Sequence, residues 1–140
     1  MLKSKLIHPK IMGMLALCGH GDRILIVDGN YPLDSASNIN ATKVYLGLEA
    51  GTPTVTKVLK VLKTAINIEE VTVMSPDEGE VEPEIFDDFR EVLPDNILQK
   101  IDRFKFYEEA KYSDNIKLAI STGELRTYGC LILTVGIQQG

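Results

Sequence analysis

The chain has 140 residues, 44% hydrophobic and 25% charged, with a formal net charge of −5. That composition fits one globular domain over residues 1–140 and excludes a disordered segment or two domains of ordinary size. The acidic balance argues against a surface that tracks nucleic-acid phosphates, and the two cysteines, with no CxxC spacing, exclude a disulfide framework and a zinc site.

The N-terminal stretch MLKSKLIHPKIMGMLALCG has basic and then apolar residues, but Pro9 and Lys10 interrupt the start of a short apolar run, so no signal peptide is expected. No run approaches the ~18 apolar residues of a membrane span, and the expectation is a cytoplasmic, reduced protein without membrane contact.

Ile11, Met14, Leu15 and Cys18 fall at i, i+3, i+4 and i+7, with Pro9 at a first-turn position and Gly19 just past the end, which predicts a helix over about 9–18. RILIVD (23–28) is short, apolar on both faces and rich in β-branched residues, the pattern of a buried strand in a covered sheet. ATKVYLG (41–47) predicts a second strand. TPTVTKVLKVLKTAI (52–66) predicts a helix with Thr52 as cap and Pro53 in its first turn. Its Lys57, Lys60 and Lys63 recur at helical spacing and read as a solvated face rather than a binding patch.

EEVTVMS (69–75) is a third strand, and EPEIFDDFREVLP (82–94) a helix striped by Ile85, Phe86, Phe89 and Val92. DRFKFYEEAKYS (102–113) is a shorter helix with Asp102 as its cap. IKLAIST (116–122) and CLILTVG (130–136) are two more buried strands, joined by the turn-like GELRTYG. Strands alternating with helices predict an α/β domain, with helices on both faces of a mostly parallel sheet.

The chemistry centres on LCGHGDRILIVDGNYP (17–32). Ligands of open α/β sheets bind beyond the carboxyl ends of the strands. Asp28 stands at such an end, and His20 in the loop ahead of the same strand. An imidazole takes and gives up a proton near neutral pH, so His20 is either a general acid–base group or an ordinary loop histidine. Asp28 either orients an imidazole and accepts from a hydroxyl, or caps the bend as an Asx turn. A five-residue strand spans about 17 Å. The two side chains therefore meet only if the loop folds back along the sheet or a second subunit supplies one of them. Cys18 lies two residues from His20 but belongs to the apolar helix stripe, so it reads as core rather than as a hydrolase nucleophile. With no P-loop, GxGxxG or HExxH in the chain, no cofactor and no metal are expected.

HPKIMGMLALCGHGDRILIVDGNYP resembles the opening of the L-fucose mutarotase and D-ribose pyranase family, which begins with a helix, a GHGD or GHTD loop and a strand ending in Asp. DRFKFYEEA and TGELRTYGCLIL are similar to its second half, and both favour the fucose branch. The resemblance covers nearly the whole chain, in order. It implies a three-layer α/β/α subunit with a mixed sheet of about six strands. It also implies a ring-like homo-oligomer, often a decamer, with sites between neighbouring subunits, so that His20 and Asp28 share one pocket completed by a neighbour.

The activity implied is that of an isomerase: a mutarotase interconverting the anomers of L-fucose or a related monosaccharide, with pyranose–furanose exchange as a further possibility. By resemblance, His20 is the acid–base residue and Asp28 lies beside the sugar. Arg103 is the sugar-contacting arginine, and Tyr128 is the tyrosine of a motif continued by Gly129 and Cys130. Cys130 stands where the motif carries asparagine, and Asn30 where the fucose branch usually has histidine. A non-catalytic sugar-binding protein on the same fold is the alternative.

Overall fold

In the computed structural model, which describes residues 1–140, the apolar runs become strands whose alternate side chains are buried on opposite faces. In β1 (Arg23–Val27), Ile24 and Ile26 join one core cluster while Leu25 and Val27 join another. Its neighbours β5 (Ile116–Ser121) and β6 (Leu131–Val135) divide in the same way. β2 (Thr42–Tyr45), β3 (Ile68–Met74) and β4 (Leu98–Ile101) complete a six-stranded sheet of order β2-β5-β1-β6-β3-β4. β6 runs antiparallel to β1 and β3, while the other neighbours pair in parallel, so the sheet is mixed.

Three helices, α1 (Pro9–Leu17), α2 (Val55–Lys63) and α3 (Ile85–Val92), cover one face. The other face is covered by α4 (Arg103–Tyr112) and by the segment carrying Tyr31, Leu33 and Ala41. Phe86, Phe89 and Phe106 are fully buried against the sheet. Each contributes about 2 kcal/mol by leaving water. The α/β/α layering expected from the sequence is the observed one.

The local differences have physical reasons. The α2 cap is Thr54, not Thr52: its hydroxyl accepts from Lys57 N at 3.1 Å, and Pro53 lies ahead of the helix. α1 ends at Leu17, with Cys18 extended as its C-cap, so Gly19 is not needed as a left-handed stop. Cys18 is half-buried against the core rather than fully within it, and burial pushes its thiol up. β4 has no counterpart in the sequence reading. Its LQKI is an edge strand paired only to β3, with Gln99 and Lys100 exposed, and so it carries no apolar run.

The antiparallel strand follows from a short connection. Residues 122–130 pass from β5 to β6 across the carboxyl end of β1. There the Thr122 hydroxyl donates to Val27 O at 2.8 Å, and Gly29 N donates to Glu124 O at 2.9 Å. Gly123 makes that crossing close: a Cβ there would lie 2.5 Å from Thr52 O.

Candidate active site at the carboxyl end of β1

Asp28 follows β1 directly and is 6% exposed. Its Oδ1 accepts from Asn30 N at 2.9 Å and from Tyr31 N at 3.0 Å, so the Asx-turn role anticipated for it is present. Its Oδ2 accepts from the Cys130 thiol at 3.5 Å. Burial pushes that thiol well up, with the Asp28 charge adding to the effect, so it stays protonated and keeps its donor. Oδ2 retains acceptor capacity toward the adjoining space.

That space is a cavity of about 320 Å³ lined by Asp28, Asn30, Arg103, Tyr107, Tyr128 and Cys130 among others. Arg103 opens α4, directly after the cap Asp102, whose carboxylate accepts from Lys105 N at 2.8 Å. Its guanidinium lies 6.0 Å from the Tyr107 ring centre and makes no ion pair within the chain, so its donors are free. Tyr107 stacks on Tyr31, centroids 5.0 Å apart and planes 9° from parallel. Burial pushes the Tyr107 hydroxyl up, keeping it neutral. Tyr107 was not among the sequence candidates, although its place four residues after Arg103 puts both on one helix face.

Tyr128 holds φ 61°, the only non-glycine residue in the left-handed region. Such a conformation is costly and persists where the surroundings impose it. Here they are visible. Glu124 is 3% exposed and accepts from the backbone N–H groups of Leu125 and Arg126. Its two oxygens also take the Arg126 guanidinium, which reaches on to Asp88 at 2.7 Å and to the Thr56 hydroxyl at 3.3 Å. Burial by itself raises the Glu124 carboxyl, but the Arg126 guanidinium and N–H groups outweigh it and hold the carboxyl below its ordinary value. Gly129 is wedged behind Tyr128, where a Cβ would come 3.1 Å from Glu124 Cγ and 3.2 Å from Asp28 Cβ.

The structure therefore brings Asp28, Arg103, Tyr128, Gly129 and Cys130 together at one end of the sheet. His20 is at the other. It is exposed in the loop ahead of β1 and lines a separate cavity of about 630 Å³. The loop does not fold back along the sheet. Within one chain His20 meets Glu69, not Asp28, with Nε2 2.9 and 3.0 Å from the two carboxylate oxygens. Glu69 was also absent from the sequence candidates, because 49 residues separate it from His20. No cluster of three His, Cys, Asp or Glu side chains is placed to hold a metal ion, and no helix is long and apolar enough to cross a membrane.

Residues 1–138 match the model of the RbsD / FucU transport protein family. The chain belongs to this family. It is 32% identical to the fucose mutarotase of Homo sapiens, over 94% of this chain and 90% of that one. It is 28% identical to the D-ribose pyranase of Clostridium perfringens, over 98% of both. Among solved structures, FucU from Bifidobacterium longum aligns with TM-score 0.82 at 28% identity, covering 95% of this chain and 96% of that one. RbsD of Bacillus subtilis, solved with D-ribose, shares the fold with TM-score 0.83 at 21% identity, over 99% and 100% of the two chains. Family relatives thus carry both names, at similar identity to this chain.

Proposed function

We propose that the protein is a monosaccharide mutarotase that interconverts sugar anomers by acid–base ring opening, with L-fucose or a related sugar as substrate and pyranose–furanose exchange as a second outcome of the same step. The observation that carries this is the concave site in which Asp28, Arg103 and Tyr128 converge beyond the carboxyl end of β1. The names of the relatives, a fucose mutarotase and a D-ribose pyranase, support the same reading. So do the DRFKFYEEA and TGELRTYGCLIL runs, on the side of the fucose branch.

The chemistry needs little. The anomeric hydroxyl gives up its proton, the C1–O5 electron pair passes to O5, and O5 takes a proton. The free carbonyl rotates, and closure on its other face reverses each step. Arg103 supplies donors for sugar hydroxyls, Asp28 accepts from another, and Tyr107 and Tyr128 offer aromatic walls. No cofactor takes part in this sequence of steps.

The proton-shuttling group is His20, delivered by a neighbouring subunit. Two facts support this. The five residues of β1, a span of about 17 Å, lie between the loop of His20 and Asp28 within one chain. Apolar side chains stand bare near both halves: Leu17, close to His20 in sequence, is 76% exposed, and Phe104, next to Arg103, is 78% exposed. The assembly is a ring of more than two subunits, a decamer in the family's usual form, working in the cytoplasm.

The test is anomer-exchange NMR over fucose, ribose, galactose and related sugars. Accelerated exchange with at least one of them is expected. Binding without exchange favours the second reading, a non-catalytic sugar-binding protein, which the Cys130 departure from asparagine supports. His20→Ala should slow exchange ~100-fold while the protein stays folded. Sedimentation showing a fully active monomer overturns the shared site.

A further inference from the structure

We infer that Glu69 is a positioning residue for His20: it holds the imidazole by Nε2 and leaves Nδ1 as the base atom. The inference rests on the acid–base role proposed for His20.

A carboxylate only accepts hydrogen bonds, and both Glu69 oxygens lie within 3.0 Å of Nε2. Nε2 therefore carries the hydrogen, and the neutral ring presents its lone pair at Nδ1. The ring nitrogens are chemically distinct, so this contact decides which atom can take the anomeric proton.

The arrangement is built, not incidental. In the β3–β6 ladder Ile68 pairs with Val135 and Glu70 with Thr134, so Glu69 is the extra residue of a bulge. A bulge re-aims a side chain out of the regular alternation. Asn96 holds the bulge by donating to Ile68 O at 3.3 Å and Glu69 O at 3.5 Å.

The two partners also share an anchor. Gly21 N donates to Val135 O at 2.9 Å, and Gly136 N donates to Asn67 O at 2.8 Å, so the end of β6 ties down both the histidine loop and the start of β3. Gly21 holds φ +89°, and a Cβ on Gly136 would come 3.3 Å from Glu69 Cβ, so both tethers call for glycine. Glu69 and His20 are each about half exposed, at 49% and 55%. A polar contact that open contributes little to stability in either protonation state of the ring, which leaves orientation as what the contact does.

The experiment joins tautomer and rate. The chain has two histidines, and His20→Ala assigns the other set of ¹⁵N ring signals to His8. In wild type the His20 signals should report hydrogen at Nε2. In Glu69→Ala that preference should weaken toward the tautomer mixture of an unpartnered imidazole, and the exchange rate at saturating sugar should fall about 10-fold or more, part of the ~100-fold that a positioned acid–base group contributes. KM should hold. Glu69→Gln, whose amide oxygen still accepts from Nε2, should keep the tautomer and recover much of the rate.

An unchanged tautomer in Glu69→Ala, or a folded Glu69→Ala at the wild-type rate beside an inactive His20→Ala, overturns the role of Glu69 alone. A Glu69→Gln as slow as Glu69→Ala, with the tautomer kept, also overturns positioning. A folded His20→Ala at the wild-type rate overturns the histidine reading on which the inference stands.

Discussion

The Cys130 thiol donates to Asp28 Oδ2 at 3.5 Å, and so the residue that departs from the family motif is turned onto the carboxylate beside the cavity. Cys130 is 2% exposed and packs in the same cluster as Tyr31, Phe106 and Ile132. A buried carboxylate that loses a donor pays the desolvation of an unsatisfied group. Cys130→Ala should therefore lower stability by about 1–3 kcal/mol. Cys130→Ser and Cys130→Asn restore a donor and should fold with smaller losses. Urea unfolding of the three variants, alongside anomer exchange, checks the order.

Arg103 is exposed, and its guanidinium rests over Phe104 and Tyr107 without an ion pair. Arg103→Leu should leave the unfolding midpoint within about 0.5 kcal/mol of wild type, as surface changes do. The same change should raise KM for the sugar about tenfold. Arg103→Lys should recover only part of that loss, because an ammonium cannot offer the planar fork. Equal KM values for Arg103→Leu and wild type would take the arginine out of the site.

Acid should loosen the 124–128 connection first. The Glu124 carboxyl sits below its ordinary value in the folded protein, so the unfolded chain binds the proton more readily. Its stabilisation is complete above the ordinary glutamate value, near ~4.3. It is lost as pH falls through the lower folded value. Arg126→Leu removes the guanidinium that depresses it, so part of the acid-dependent loss should vanish. Unfolding midpoints between about pH 3 and 7 for both proteins measure the difference. Parallel curves would show that Arg126 does not set the Glu124 proton affinity.

Gly123 should tolerate no side chain. A Cβ would lie 2.5 Å from Thr52 O and 2.6 Å from both Glu49 O and Thr52 N, all backbone atoms that cannot swing aside. Gly123→Ala should cost about 3 kcal/mol, the upper range for forcing atoms into a packed site. Gly13, with nothing within 4 Å of its would-be Cβ, is the control, and in the middle of α1 Gly13→Ala should stabilise by about 0.5–1 kcal/mol. Thermal unfolding of the pair gives opposite signs if the contacts are as described.

Local pattern carried most of the fold. RILIV, IKLAIS and LILTV announce buried strands because residues on both faces are apolar, and FDDFREV announces a helix because its stripe repeats with the helical period. Asp102 was legible as a cap, since capping is a contact with a backbone group three residues away. Each of these is set within one turn or one strand, so sequence spacing suffices. Three family-like stretches in register also pointed to Asp28, Arg103 and Tyr128, although Arg103 lies 75 positions after Asp28 and Tyr128 another 25 on.

Tertiary structure decided the rest, because the deciding contacts join residues without any periodic relation. The antiparallel setting of β6 arises from the 122–130 crossing over β1. The polar edge strand β4 exists only because β3 offers it a free edge. Cys130 meets Asp28 across 102 residues, between the neighbouring strands β1 and β6, and Glu69 meets His20 across 49, from β3 past β6 to the loop ahead of β1. β1 lies between a parallel partner, β5, and an antiparallel one, β6, and its five residues separate the two ends of the sheet. That span holds His20 at one end of the sheet and Asp28 at the other.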